Sequence, residues 1–143
     1  NVTNPQTIYI RLVSNTNGCV TTGQFEIIVE FPPVLVQPTP LAICDELDAN
    51  YYENNDDIAT FDLTVKNDEI IAGNVSWIVA YYETQADAQA DVNVIADLTQ
   101  YTNMMVGTNP ANPQTVYVTV TNSIPGCFSF TTLTIRLLPN STP

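Results

Sequence analysis

A chain of 143 residues with 45% hydrophobic content has material for one domain, two at most, and for an ordinary core. Fifteen Asp and Glu against three Lys and Arg give a net charge of -12, which repels nucleic acid and anionic membrane surfaces and makes a cation the natural counterpart. There is no histidine and a single lysine, Lys66, so His-based acid-base catalysis, zinc-histidine sites and Ser-His or Cys-His nucleophile pairs are excluded and the chain reads as no enzyme.

Thr, Val, Ile and Tyr dominate, which favours strands over long amphipathic helices. In chain order, "NPQTIYI" at 4-10, the turn "SNTNGC" at 14-19 and "FEIIVEF" at 25-31 predict a β-hairpin over residues 4-31, its turn built from residues that tolerate tight bends. Residues 32-40 belong to "FPPVLVQPTP", four prolines in ten residues, a composition that stays extended and reads as a linker between domains. "IATFDLT" at 58-64 alternates as a short strand, and "TVKNDEIIAG" at 64-73 predicts one or two helical turns stopped by Gly73. "NVSWIVAYYE" at 74-83 is the most apolar strand, with Trp77, Val79 and Tyr81 on one face and Trp77 as a core anchor. "TQADAQADV" at 84-92 predicts a short helix capped by Thr84, and the remaining strands fall near 94-98 and 115-138. No apolar run approaches the roughly 18 residues that span a bilayer, and residues 1-30 carry no signal-peptide pattern. The expectation is no direct membrane insertion, with any export signal removed or outside these residues.

A constant shift of 108 carries Asn4-Pro5-Gln6-Thr7 onto Asn112-Pro113-Gln114-Thr115, Tyr9 onto Tyr117, and Gly18-Cys19 onto Gly126-Cys127. "FEIIVEF" then falls opposite "LTIRLLP" at 133-139. A period of one domain makes residues 1-31 the closing hairpin of a preceding repeat and residues 41-143 a complete repeat in a tandem array. The size and strand spacing predict an all-β, immunoglobulin-like β-sandwich with one or two short helices.

"NPQTIYI" with its following Gly-Cys, "PLAICDE" at 40-46, "DDIATFDLT" at 56-64 and above all "YYETQADAQA" at 81-90 resemble the repeats of very large surface proteins of gliding Bacteroidetes. These are the SprB-type gliding-motility adhesins and related products of the type IX secretion system. The resemblance implies an exported stalk or spacer repeat of a filamentous cell-surface adhesin, in gliding or attachment, whose partners are neighbouring repeats, surface glycans or like filaments. One departure is the stretch "DELDANYYENNDDI" at 45-58, longer than the short acidic run of such repeats and lacking its glycine.

Among three cysteines, Cys19 is the earlier copy of Cys127, so Cys44 and Cys127 are expected to form the disulfide of the complete repeat and to leave Cys19 unpaired. A Cys19-Cys44 bridge across the linker is the competing pairing. Either belongs to an oxidising, extracellular surface. Asp45, Asp48, Asn50, Asn55, Asp56 and Asp57 alternate carboxylates and amides as a calcium site does, although a solvated acidic loop has the same composition. Tyr51, Tyr52 and Tyr82 are candidate platforms for stacking on sugars, which gives the alternative function of a carbohydrate- or calcium-dependent ligand-binding module. A carboxylate-only glycosidase would need two acids across a cleft, and one small sandwich offers little cleft.

Overall fold

A computed structural model describes residues 3-45, 56-122 and 127-139, divided into two units, Asn1-Phe31 and Pro32-Pro143. In the first, β1 (Gln6-Val13) and β2 (Val20-Ile27) form an antiparallel hairpin in register from Gln6 opposite Ile27 to Val13 opposite Val20. Gly18, at φ 72°, supplies the left-handed turn residue, and the Ser14 N-H donates to the Cys19 carbonyl at 2.8 Å to close the neck.

The second unit is strand-rich. Its elements are β3 (Leu41-Cys44), β4 (Thr60-Phe61), a 3-10 turn at Leu63-Lys66, α1 (Asn67-Ile70), β5 (Trp77-Tyr82), α2 (Gln85-Ala90), β6 (Tyr101-Thr102), β7 (Met105-Val106), β8 (Asn109-Pro110), β9 (Gln114-Asn122) and β10 (Phe128-Leu138). One sheet has the order β3-β10-β9-β5, with β3 parallel to β10 and the other pairs antiparallel. Alternation places Val116, Val118 and Val120 of β9 and Leu133, Ile135 and Leu137 of β10 on its inner face. There they pack with Phe61, Leu63, Ile70, Ile71 and Tyr101 from the second layer, where β4 pairs β6. The fold is all-β and immunoglobulin-like, as expected.

Several elements follow the sequence closely. The turns at Leu63-Lys66 and Asn67-Ile70 end at Gly73, φ 77°, and α2 is capped by Thr84, whose hydroxyl accepts from the Asp87 N-H at 3.1 Å. Tyr81 is fully buried, whereas Trp77 is only half-buried, packing against the edge of the core. Two predicted strands change. The strand read at 58-64 shrinks to Thr60-Phe61 because Asp62 accepts from the Thr64 N-H at 3.0 Å and turns the chain into the 3-10 segment. Residues 94-98 form no strand; Asp91 and Asn93 sit at φ 53°, bending the chain so that Ile95 reaches the Tyr81 carbonyl by its N-H at 2.9 Å.

The largest correction concerns residues 32-40. They are extended, as their prolines require, but they are part of the domain body and not a linker. Pro33 and Pro38 are buried and Leu35 packs on the core. The segment runs beside β10: the Ser129 hydroxyl donates to the Pro33 carbonyl at 2.6 Å, Thr131 Oγ1 donates to Gln37 Oε1 at 2.9 Å, and Gln37 Nε2 donates to the Thr132 carbonyl at 2.7 Å. Prolines cannot donate to a ladder, so side chains make these bonds until the regular pairing of Leu41 with Ile135 takes over.

The shift of 108 extends to individual bonds. Asn4 Oδ1 accepts from the Val29 N-H at 3.0 Å while its Nδ2 donates to the Val29 carbonyl at 2.8 Å. Asn112 brackets Leu137 in the same two ways, at 2.9 and 3.2 Å. Both Asn-Pro peptides are cis. The hairpin registers also coincide, Gln6 opposite Ile27 and Gln114 opposite Ile135.

Candidate functional site at the two ends of the sheet

The sequence holds no histidine and three cysteines, and the first and last strands decide where the cysteines lie. The parallel register sets Leu41 opposite Ile135 and Cys44 opposite Leu138. Cys127, in contrast, immediately precedes Phe128, the first residue of β10. Eleven residues of strand separate the two levels, about 36 Å at the usual rise, whereas a disulfide needs Cα atoms within about 7 Å. The expected Cys44-Cys127 bridge within one repeat is therefore ruled out. The expectation failed because the first strand's path starts at Pro33, beside Ser129, so residue 44 stands at the strand's far end and not at its entrance.

Two ends of the second unit can now be distinguished. At the proximal end, the chain comes in at Pro33 and the β9-β10 hairpin is closed by the Asn122 N-H donating to the Cys127 carbonyl at 3.0 Å. Phe128 and Phe130 stand half-exposed there on the outer face, edge to face with ring centroids 5.3 Å apart. At the distal end, β10 finishes beside Cys44, which is exposed. Cys19 occupies in the first unit the place of Cys127, at the hairpin tip, with the whole of β2 between it and Ile27.

The distal end is held by a polar cluster. Asp45 is buried; its N-H donates to the Leu138 carbonyl at 2.9 Å and its Oδ2 accepts from the Asp57 N-H at 3.1 Å. Asp57 Oδ1 accepts from Asn112 Nδ2 at 2.6 Å and its carbonyl from Asn103 Nδ2 at 2.7 Å. Asn103, also buried, further accepts from the Ala59 N-H at 2.9 Å and donates to the Ala111 carbonyl at 3.2 Å. The two ends of the acidic stretch are thereby tied together next to Cys44.

Of the calcium candidates, Asp45, Asp56 and Asp57 fall among the described residues, and all three act as acceptors for the chain's own N-H groups or amides, Asp56 Oδ1 taking the Ile58 N-H at 2.9 Å. Asp48, Asn50 and Asn55 lie outside the described residues, as do Tyr51 and Tyr52. Among the described residues no group of three or more His, Cys, Asp or Glu is placed to hold a metal ion. Tyr82 is not a stacking platform: its ring is fully buried on the outer face of the sheet, which α2 covers, and its hydroxyl donates to Asp91 Oδ1 at 2.6 Å. Sequence reasoning missed Asn103 and the paired role of Asn4 and Asn112. The second was signalled by the repetition of Asn-Pro-Gln-Thr, whereas an isolated Asn103 carries no pattern.

Residues 40-143 match the family model described as the Flavobacterium inter-domain disulphide bond domain. No curated protein and no solved structure is similar.

Proposed function

Because the chain belongs to the Flavobacterium inter-domain disulphide bond family, we propose that it is a spacer repeat of a cell-surface filament, whose work is length and stiffness and not catalysis. The observation that carries this reading is the parallel pairing of the first and last strands, with the chain coming in at Pro33 and leaving past Leu138 at the opposite end. Tension between those points loads the contacts of β10 with the first strand along the strand axis. The evenly spaced bonds of that parallel ladder run across the pull and not along it, so they share the load and yield together, the geometry suited to a load-bearing rod. Repetition of the hairpin supports an array, and a disulfide-using family supports an oxidising exterior. The adhesin role, in gliding or attachment, is the context that the resemblance of "YYETQADAQA" and its companion segments supplies.

Small-angle scattering of chains carrying one, two and three successive repeats tests the spacer. The longest dimension should grow linearly, by about 40 Å per repeat for a twelve-residue strand path. A particle that stays compact as repeats are added refutes it. Antibody labelling of intact Flavobacterium cells should decorate the surface, and labelling seen only after lysis would count against the location.

A further inference from the structure

We propose that the outer face of the main sheet, beside α2, is a binding groove for neutral oligosaccharides. Two adjoining cavities of about 260 and 400 Å³ lie there, the first reaching Asp91, Thr121 and Phe128 and the second Gln85, Tyr117 and Phe130, and Gln89 of α2 borders both. Volumes of that order suit a small ligand. The register sets Phe128 opposite Thr121, Phe130 opposite Thr119 and Thr132 opposite Tyr117, so the floor runs along β9 and β10 for about 13 Å at the usual rise. That is longer than one hexose ring. The site lies within the second unit and goes beyond the spacer reading, because it stands whether or not the repeats form a rod.

Phe128 and Phe130 are 52% and 44% exposed, with their rings at 85° to each other, beside a helix that packs on β5 and β9. The hairpin itself does not require them. The shift of 108 puts Val20 and Thr22 at the same two positions of the first hairpin, and Arg11 where Thr119 stands, although both hairpins keep one register and the same asparagine clasp. Two large rings left in water on a face otherwise rich in threonine are therefore particular to this copy, and an exposed apolar surface of that kind marks a contact site.

The chemistry of the lining selects the ligand. Aromatic ring faces carry negative potential and receive the polarised C-H groups on the flat side of a sugar ring. Hydrogen-bonding groups stand across from them. Gln85 and Gln89 are exposed, and neither side-chain amide has a partner among the described residues. Asp91 Oδ1 takes the Tyr82 hydroxyl, which leaves its other oxygen as an acceptor. Carboxylate, hydroxyl and amide oxygens make a rim rich in acceptors, so the ligand must bring donors, and sugar hydroxyls both donate and accept. A proline-rich peptide also suits aromatic grooves, but its prolines bring no N-H donors. Addition of a peptide strand is closed, because β9 lies between β5 and β10 and β10 lies between β9 and β3. The lining holds Asp91 and no Lys or Arg, and with a net charge of -12 it repels uronates and sulfated sugars. Neutral hexose chains remain.

The test presents the 143-residue chain to an array of neutral glucans, galactans and mannans, of uronate-containing and sulfated glycans, and of an oligoproline peptide, and titrates each ligand retained. Neutral oligosaccharides should bind and the anionic ones should not. The double variant Phe128→Val/Phe130→Thr installs the residues of the first hairpin, so it should keep its thermal midpoint and bind at least about tenfold more weakly. Gln89→Ala changes an exposed position of α2 and should weaken binding about fivefold, which decides the matter if the double variant does not fold. Retention of no neutral glycan, retention of anionic glycans or oligoproline alone, or unchanged affinity in the folded variants overturns the proposal.

Discussion

Asn103 holds three segments with one amide: it accepts from Ala59 and donates to the carbonyls of Asp57 and Ala111. Asn103→Ala removes all three partners inside a buried site, and a loss of about 2-4 kcal/mol in urea unfolding is expected; a change within error of zero would contradict this account. Two tyrosines tie stability to high pH. Burial pushes the Tyr101 hydroxyl up to about 12 and raises that of Tyr81 as well, against about 10 in an unfolded chain. Above pH 10 the unfolded chain therefore binds fewer protons than the folded one, so their contribution is complete below pH 10 and is lost as pH rises through the folded values. The expected slope is about 1.4 kcal/mol per pH unit for each tyrosine. Tyr101→Phe should make the fall in urea midpoint between pH 10 and 12 shallower, and an unchanged slope would disprove the assignment. Tyr82 was misread at this scale because a hydroxyl beside apolar neighbours looks the same in sequence whether its face is bare or, as here, covered by α2.

At the scale of elements, α2 was legible because its cap is local: Thr84 and Asp87 are three residues apart, and their bond does not wait on the rest of the fold. Thr84→Ala should cost about 1 kcal/mol, read from the thermal or urea midpoint; full stability would show that the cap is idle. The two hairpins make the opposite point, since copies of one motif in the same register have different surroundings. Val118 and Leu133 are wholly buried, while their counterparts Ile10 and Phe25 are 41% and 50% exposed. A two-stranded hairpin is marginal by itself. Amide exchange measured by mass spectrometry should therefore be fast over Gln6-Ile27 and slow over Gln114-Leu138, and equal protection would refute the difference.

For the whole molecule, the direction of the first strand decides which end of the sheet Cys44 occupies. The prolines at 32-40 correctly signalled extension but were read as a joint, because a ladder made through Gln37, Ser129 and Thr131 side chains leaves no alternation in the sequence. Moving the strand's start from Leu41 back to Pro33 carries Cys44 from one end of the repeat to the other, opposite the end that holds Cys127.

The sequence by itself determined the all-β class, the period of 108, the two hairpins, the capped helix and the lack of histidine chemistry. All of these depend on residues near in the chain or on composition. Only the tertiary structure decided which end of the sheet each cysteine occupies, which face α2 covers and which amides close the distal cluster. Those depend on the parallel register of strands about ninety residues apart, and periodicity within a strand carries no information about which level of a distant strand it will meet.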